Sequence, residues 1–135
     1  MKTGTLHHIC IQTNKYTESL RFYSEVLGFE IIKETKNFHG RYYNSWLKLD
    51  SFMIELQTAK IDQEFDEYNS YSQGIVHFCI YVEDIENEYN KIKQLGRCNF
   101  LSKEGKDIYN VEGGSLFKIT APEGTIIEIR DNEGI

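Results

Sequence analysis

The chain has 135 residues, a formal net charge of −6 at pH 7 and a hydrophobic fraction of 40%. These values predict one globular domain with a sizeable core and disfavour disorder. An acidic chain repels nucleic-acid phosphates, and no apolar run approaches the roughly 20 residues of a membrane span. The start of the chain lacks the apolar core of a signal peptide, so we expect a cytoplasmic location and neither a nucleic-acid nor a membrane partner.

Residues 5–13 alternate with the period of a strand and give it two different faces. The face that ends apolar should pack on helices, whereas the mixed, polar face suits a cavity better than a core. We expect His7, which lies on the apolar face, to be near the surface or at a strand edge. The polar face carries Leu6, His8, Cys10 and Gln12, and the apolar face carries His7, Ile9, Ile11 and Thr13.

The next segment predicts a helix over Lys15–Leu27, with Asn14 as its N-cap and Gly28 ending it. Strands are predicted at Phe29–Lys33, Arg41–Leu49 and Phe52–Thr58. The buried stripe of the helix should consist of Tyr16, Leu20, Tyr23 and Leu27, which recur at helical spacing.

Glu55 stands in the middle of the otherwise apolar strand Phe52–Thr58. Period-two alternation puts it on the face of Met53 and Gln57, opposite the apolar face. A carboxylate in such a place needs a partner, because an unpaired buried charge is costly.

The second half of the chain repeats this order after a polar, tyrosine-rich connection at residues 59–73. Gly74 opens the second half, and a strand at Ile75–Val82 carries His77. Asp84 should cap a helix whose buried stripe ends at Leu95, and residues 102–114 are predicted to form a polar loop. The closing strands are Ser115–Thr120 and Thr125–Arg130, and the second of them carries Glu128.

The two halves therefore match in architecture, each reading as strand, helix and three strands. His8 and Cys10 correspond to His77 and Cys79, and Glu55 corresponds to Glu128. We expect an α+β fold in one domain of two βαβββ modules, at residues 1–58 and 74–135 with 59–73 between them.

Two histidines and two glutamates at matching places form a set of ligands that suits a divalent metal such as Zn, Ni, Mn or Co. Such an ion can stabilise an oxyanion, and a glutamate beside it can move a proton next to a carbonyl. The alternative is that the histidines are structural and the glutamates face solvent. The cysteines Cys10, Cys79 and Cys98 make an odd, widely spaced set, which predicts neither disulfides nor a cysteine zinc site, and we expect Cys10 and Cys79 to face the core.

Three stretches of the sequence resemble the glyoxalase I and vicinal oxygen chelate superfamily. The resemblance covers essentially the whole chain. The stretches are Leu6–Ile9 with Ser19–Phe29, Gly74–Phe78 with Val82–Ile85, and Ala121–Ile129.

This resemblance implies paired βαβββ modules that form a cupped mixed sheet with helices on the outside, a metal in the cup and a homodimer. It makes His8, Glu55, His77 and Glu128 the metal ligands, with Glu128 as the catalytic base and Glu55 as its symmetric counterpart. The implied function is that of a metal-dependent lyase or isomerase of the glyoxalase I (lactoylglutathione lyase-like) type, which acts on a small α-oxo or α-hydroxy substrate.

The resemblance is incomplete at two positions of the glutathione site. Gln12 stands where glutathione-using relatives usually have arginine, and Ala59 stands where they usually have asparagine. These differences count against glutathione as the thiol. The alternatives are a methylmalonyl-CoA epimerase-like isomerase and a non-catalytic protein that binds or sequesters a small molecule. The pattern does not distinguish a cup formed within one chain from one formed across a dimer.

Overall fold

A computed structural model describes residues 3–132 and divides the chain into two compact units, Met1–Asp66 and Glu67–Ile135. Each unit has its own mixed sheet and its own helix. Because the division falls between the two repeats seen in the sequence, each unit can be described by itself.

The first unit is a four-stranded sheet with the strand order β1-β4-β3-β2. Strands β1 and β4 run parallel, and the other neighbours run antiparallel. The first helix, α1, continues into a π-helical turn at Phe22–Val26. The elements are β1 (Ile9–Gln12), α1 (Tyr16–Arg21), β2 (Glu30–Phe38), β3 (Arg41–Leu49) and β4 (Phe52–Gln57).

The start of α1 differs from the sequence prediction. Lys15 occupies the cap position without a side-chain cap, so the prediction of Asn14 as the N-cap is wrong. The Asn14 amide instead hydrogen-bonds the backbone of Phe65, donating to its oxygen at 2.8 Å and accepting from its N–H at 3.0 Å. The Thr13 hydroxyl accepts from the Lys15 N–H at 2.8 Å. Gly28 follows the helical segment at φ +77°, a conformation that glycine adopts without strain.

The core of the first unit lies on the helix side of its sheet. Leu47, Ile54 and Leu56 are fully buried there, and so is Tyr23 of the π-helical turn. The rings of Tyr23 and Phe29 pack edge to face with centroids 5.9 Å apart. Since Ile54 and Leu56 flank Glu55 in sequence, their burial turns the Glu55 side chain to the opposite face of the sheet.

The second unit is a sheet with the order β5-β9-β8-β6, and a short strand, β7, also pairs with β8. Strands β5 and β9 run parallel, as β1 and β4 do in the first unit. Strand β7 lies inside residues 102–114, which were predicted to be loop, so that prediction is wrong for these three residues. The elements are β5 (His77–Tyr81), α2 (Ile85–Leu95), β6 (Asn99–Phe100), β7 (Tyr109–Val111), β8 (Gly114–Thr120) and β9 (Ile126–Arg130).

Helix α2 begins and ends as the sequence predicts. The Asp84 carboxylate accepts from the Asn87 N–H at 3.0 Å, and Gly96 ends the helix in the left-handed conformation. Its Tyr89 ring packs 5.7 Å from the ring of Phe117, which is fully buried on β8. Leu95 was expected in the buried stripe but is 43% exposed, because it lies at the last position of the helix.

The predicted fold class is confirmed: mixed sheets with few helices, in the order βαβββ in the first unit and with the additional β7 in the second. No helix among residues 3–132 is long and apolar enough to cross a membrane.

Candidate functional site

In the first unit, the pairing of β1 with β4 brings His8 close to Glu55. Cys10 is the register partner of Glu55, and His8 lies two residues before Cys10, just ahead of β1. His8 Nε2 is 3.6 Å from Glu55 Oε2, and their side chains are 33% and 18% exposed. This places an imidazole nitrogen and a carboxylate oxygen side by side on the sheet face away from the core.

The second unit repeats this arrangement. Cys79 is the register partner of Glu128 across β5 and β9. His77 Nε2 is 3.6 Å from Glu128 Oε2, and the Glu128 side chain is only 9% exposed. The same two kinds of atom are therefore held at the same distance in both units.

The 3.6 Å separation is longer than a hydrogen bond but suits two ligands of one ion. Two ligands that each lie ~2.1 Å from a metal are roughly 3.0–3.6 Å apart for angles between 90° and 120°. Imidazole nitrogens and carboxylate oxygens also form a ligand set for Zn, Ni, Mn or Co. Each pair therefore fits two ligands of a metal ion by distance and by donor type.

His7 was predicted only to lie near the surface or at a strand edge, but in the structure it also contacts His8. His7 is exposed, and its Nδ1 lies 2.8 Å from His8 Nδ1. The Trp46 ring packs edge-on to the His8 ring, with centroids 4.8 Å apart. Both contacts orient the His8 imidazole, and an Nδ1–H that donates to His7 leaves the His8 Nε2 lone pair facing Glu55.

In the second unit, two cations lie beside Glu128. Lys118 Nζ is 3.4 Å from Glu128 Oε2, and an Arg130 terminal nitrogen is 4.0 Å from Oε1. The sequence pattern did not predict a role for Lys118. The alternation along β8 showed which residues share a face with Lys118, but it could not show the register that sets Lys118 opposite Glu128.

The surroundings of the two glutamates therefore differ. At the place where Lys118 faces Glu128, Trp46 faces Glu55. Gln57 follows Glu55 by two residues and pairs with β1, which begins directly after His8. Arg130 follows Glu128 by two residues and pairs with β5, which carries His77. The second unit thus has a lysine and an arginine at the two places where the first has a tryptophan and a glutamine.

The cysteines on these faces are exposed, so the prediction that Cys10 and Cys79 face the core is wrong. Partial desolvation, followed by the charge of Glu55, raises the pKa of Cys10 to about 11. Desolvation and the charge of Glu128 raise the pKa of Cys79 to about 11 as well. Both thiols therefore stay protonated near neutral pH, which disfavours a role as nucleophile.

The structure thus places the predicted site residues as two pairs, His8 with Glu55 and His77 with Glu128. Within residues 3–132, no group of three or more histidine, cysteine, aspartate or glutamate side chains is close enough to hold a metal ion.

The family model of the Glyoxalase/Bleomycin resistance protein/Dioxygenase superfamily matches residues 5–129. The chain belongs to this superfamily. The match includes both modules and all four candidate ligands.

Individual relatives are more distant. A probable lactoylglutathione lyase of Vibrio parahaemolyticus is 26% identical over 98% of this chain and 94% of its own length. A candidate ring-cleaving dioxygenase of Bacillus subtilis, MhqE, is 50% identical, but the match spans only 28% of this chain and 12% of that protein.

Among solved structures, the fold is similar to that of the fosfomycin resistance protein FosX of Listeria monocytogenes, complexed with Mn(II) and sulfate ion. The TM-score is 0.71 at 12% identity, with 96% of this chain and 93% of that chain covered. At this identity the likeness shows the fold alone.

Proposed function

We propose that the protein is a metal-dependent lyase or isomerase of the glyoxalase I type, with His8, Glu55, His77 and Glu128 as its metal ligands. The protein would form a homodimer. The substrate would be a small α-oxo or α-hydroxy compound, and the location cytoplasmic.

The observation that carries this proposal is the repeated pair of His Nε2 and Glu Oε2 atoms at 3.6 Å. A structural histidine or a solvated glutamate gives no reason for the same distance at matching places in both units. Membership in a superfamily whose members typically use a divalent metal supports the same assignment, as does the 26% identity to a probable lactoylglutathione lyase.

A bound ion would supply Lewis-acid stabilisation of negative charge on the substrate oxygens. Glu128 would act as the base that takes the proton from the carbon beside the carbonyl. In the hemithioacetal of methylglyoxal, this proton moves from the sulfur-bearing carbon to the neighbouring carbonyl carbon, and the product is a thioester. Glu55 occupies the matching place in the first unit and is the second candidate for proton transfer. With only 9% exposure, Glu128 is largely shielded from water.

Elemental analysis tests the metal site directly. We expect the purified protein to hold a divalent ion and the Glu55→Gln/Glu128→Gln double variant to lose it, because glutamine keeps the shape of glutamate but removes the charge. A matched control is Glu86→Gln/Glu88→Gln, which removes the same charge from α2. If the native protein takes up no metal even when divalent ions are supplied, the enzyme proposal is wrong.

Two other functions remain candidates. A non-catalytic protein that binds a small molecule is consistent with a superfamily whose description includes bleomycin resistance proteins. A methylmalonyl-CoA epimerase-like isomerase would also use the metal. Metal content distinguishes the non-catalytic binding protein from the two enzymes. Turnover of the methylglyoxal hemithioacetal distinguishes the lyase from the epimerase.

His7 should support metal binding through His8. We expect His7→Phe to weaken the affinity for metal about 10-fold, because partners of a metal-bound imidazole typically contribute factors of this size. Phenylalanine keeps a ring near Trp46 but removes the nitrogen that lies 2.8 Å from His8 Nδ1. The affinity is measured by competition with a chelating dye.

His39→Phe is the control for this experiment, because His39 is an exposed histidine in the turn between β2 and β3. Equal affinities in His7→Phe and His39→Phe would show that the contact between His7 and His8 does not orient the ligand.

A further inference from the structure

Asn44 is a buried polar side chain on the same sheet face as Glu55. Its neighbours on β3, Tyr43 and Ser45, both contact Tyr16 of α1 on the helix side of the sheet. Alternation along the strand turns Asn44 to the opposite face, which carries the candidate metal ligand. Asn44 is only 1% exposed there, so its amide is removed from bulk water.

The register of β3 and β4 brings Asn44 near the His8–Glu55 pair. Asn44 is the register partner of Gln57, and Gln57 follows Glu55 by two residues on β4. Two residues of a strand span roughly 7 Å. A ligand bound at Glu55 therefore reaches Asn44 with a group that lies roughly 7 Å along the strand direction.

The Asn44 amide oxygen is a hydrogen-bond acceptor without a donor. Within residues 3–132, no group donates to this buried Oδ1 atom. The register partners of Asn44, Gln57 on β4 and Thr35 on β2, each carry a side-chain donor, but neither donates to it. A buried acceptor without a donor destabilises the folded state, and native proteins contain few such atoms. This one therefore needs an explanation other than the stability of the first unit.

The second unit shows that the fold does not need an amide at this place. Leu116 on β8 corresponds to Asn44, because Leu116 is the register partner of Arg130 as Asn44 is of Gln57. Leu116 is also buried, with 5% exposure. Since a leucine fills the matching place, packing gives no reason for an asparagine, whereas binding of a polar group does.

We propose that Asn44 binds the substrate by accepting a hydrogen bond from a neutral donor, a hydroxyl or an amide N–H, beside the His8–Glu55 pair. A neutral group is favoured because Asn44, Gln57 and Thr35 are uncharged and would not compensate a buried ion. The Gln57 amide has both a donor and an acceptor for the same group. This assignment deepens the proposed function, on which it rests for the metal: the substrate carries a hydrogen-bond donor roughly 7 Å from its metal-bound oxygens.

Matched lactamides test the proposal, since all of them carry an α-hydroxy carbonyl group for the metal. N-(2-hydroxyethyl)lactamide is compared with N-propyllactamide, and N-(2-acetamidoethyl)lactamide with N-(4-methylpentyl)lactamide, whose tails have matching shapes but no donor. Dissociation constants are measured by NMR titration of the metal-free protein and of the zinc-loaded, diamagnetic protein. In at least one pair we expect the polar tail to bind about 5- to 10-fold more tightly, because the buried acceptor gains a donor. The pair that shows this preference distinguishes a hydroxyl from an amide.

Variants of Asn44 assign the preference to this side chain. We expect Asn44→Leu to abolish the preference for the polar tail, because leucine cannot accept a hydrogen bond. Asn90→Leu makes the same change at an exposed position on α2 and should leave the preference as it is. If Asn44→Leu does not fold, Asn44→Ala removes the amide without adding volume.

Stability without ligand gives a second readout, in which a binding role and a structural role have opposite effects. Because Asn44→Leu removes a buried acceptor that has no donor, we expect the midpoint of thermal unfolding to rise. An asparagine that stabilises the fold would give a lower midpoint in this variant and the same preference between tails as the native protein, which would overturn the proposal.

The outcomes separate this proposal from the proposed function. Zinc uptake with equal affinities within both ligand pairs, or with a preference for polar tails that persists in Asn44→Leu, overturns the Asn44 site and leaves the metal enzyme standing. A preference that needs Asn44 in a protein that takes up no divalent metal supports the Asn44 site and overturns the proposed function. If the protein neither takes up metal nor distinguishes the tails, both are wrong.

Discussion

Glu128→Gln is expected to lower kcat/KM for the hemithioacetal of methylglyoxal by roughly 10²–10⁴-fold, the contribution typical of a positioned general base. Glutamine fills the same space on β9 but can neither take the proton nor pair with the nearby cations. The carboxylate that it replaces is buried and lies 3.6 Å from His77 Nε2. The measurement is steady-state turnover of the metal-loaded protein, with the metal content of each variant determined beside it.

Glu55→Gln is the informative comparison for this variant. Glu55 is the matching glutamate of the first unit, but Trp46 rather than a lysine faces it across the sheet. We expect Glu55→Gln and Glu128→Gln to lose activity by different factors, because the two carboxylates have different neighbours. Glu86→Gln, on the exposed face of α2, controls for the loss of one charge. Turnover by Glu128→Gln at the native rate would mean that another group moves the proton.

The sequence alone identified four candidate ligands on the strand faces away from the helices, because alternation along a strand shows which residues share a face, but it did not predict that they form two His–Glu pairs. Ile54 and Leu56 are apolar and buried, so Glu55 between them had to point away from the core. Distances could not be obtained in this way. The 3.6 Å separations depend on the register between β1 and β4 and between β5 and β9, which are far apart in sequence.

The residues around the ligands were harder to predict than the ligands. Lys118 contacts Glu128 only through the pairing of β8 with β9, and a shift of one residue would turn it to the opposite face. His7 had been placed on the opposite face of the first strand from His8. The pair actually precedes β1, outside the regular alternation, and there the two rings come into contact.

The helix ends show the same distinction between local and long-range determinants. The cap of α2 by Asp84 is a local interaction and was predicted correctly. The Asn14 side chain hydrogen-bonds the backbone of Phe65. This contact joins residues far apart in the first unit, so the local sequence could not predict it. Local chemistry therefore predicted element positions well, whereas tertiary contacts decided the use of individual polar side chains.

Phe117→Ala is expected to lower the free energy of unfolding by about 3–5 kcal/mol, the usual cost of removing a buried phenylalanine ring. Phe117 is fully buried, and its ring packs against Tyr89 of α2 at 5.7 Å and against Phe100 of β6 at the same distance. It also precedes Lys118 on β8, so its burial fixes which face of the strand the lysine occupies. Urea denaturation followed by circular dichroism gives the free energy.

Tyr71→Ala is the matched control, because Tyr71 is 96% exposed and its ring is not buried on folding. We expect it to change the free energy of unfolding by less than about 0.5 kcal/mol. The core of the second unit would be wrongly assigned if the two variants lost similar amounts of stability. The expected loss is a large share of the ~5–15 kcal/mol that stabilises a typical domain, so Phe117→Ala should also weaken binding of zinc. Packing on the helix side of β8 and β9 thereby positions the groups on the opposite face, where the proposed chemistry takes place.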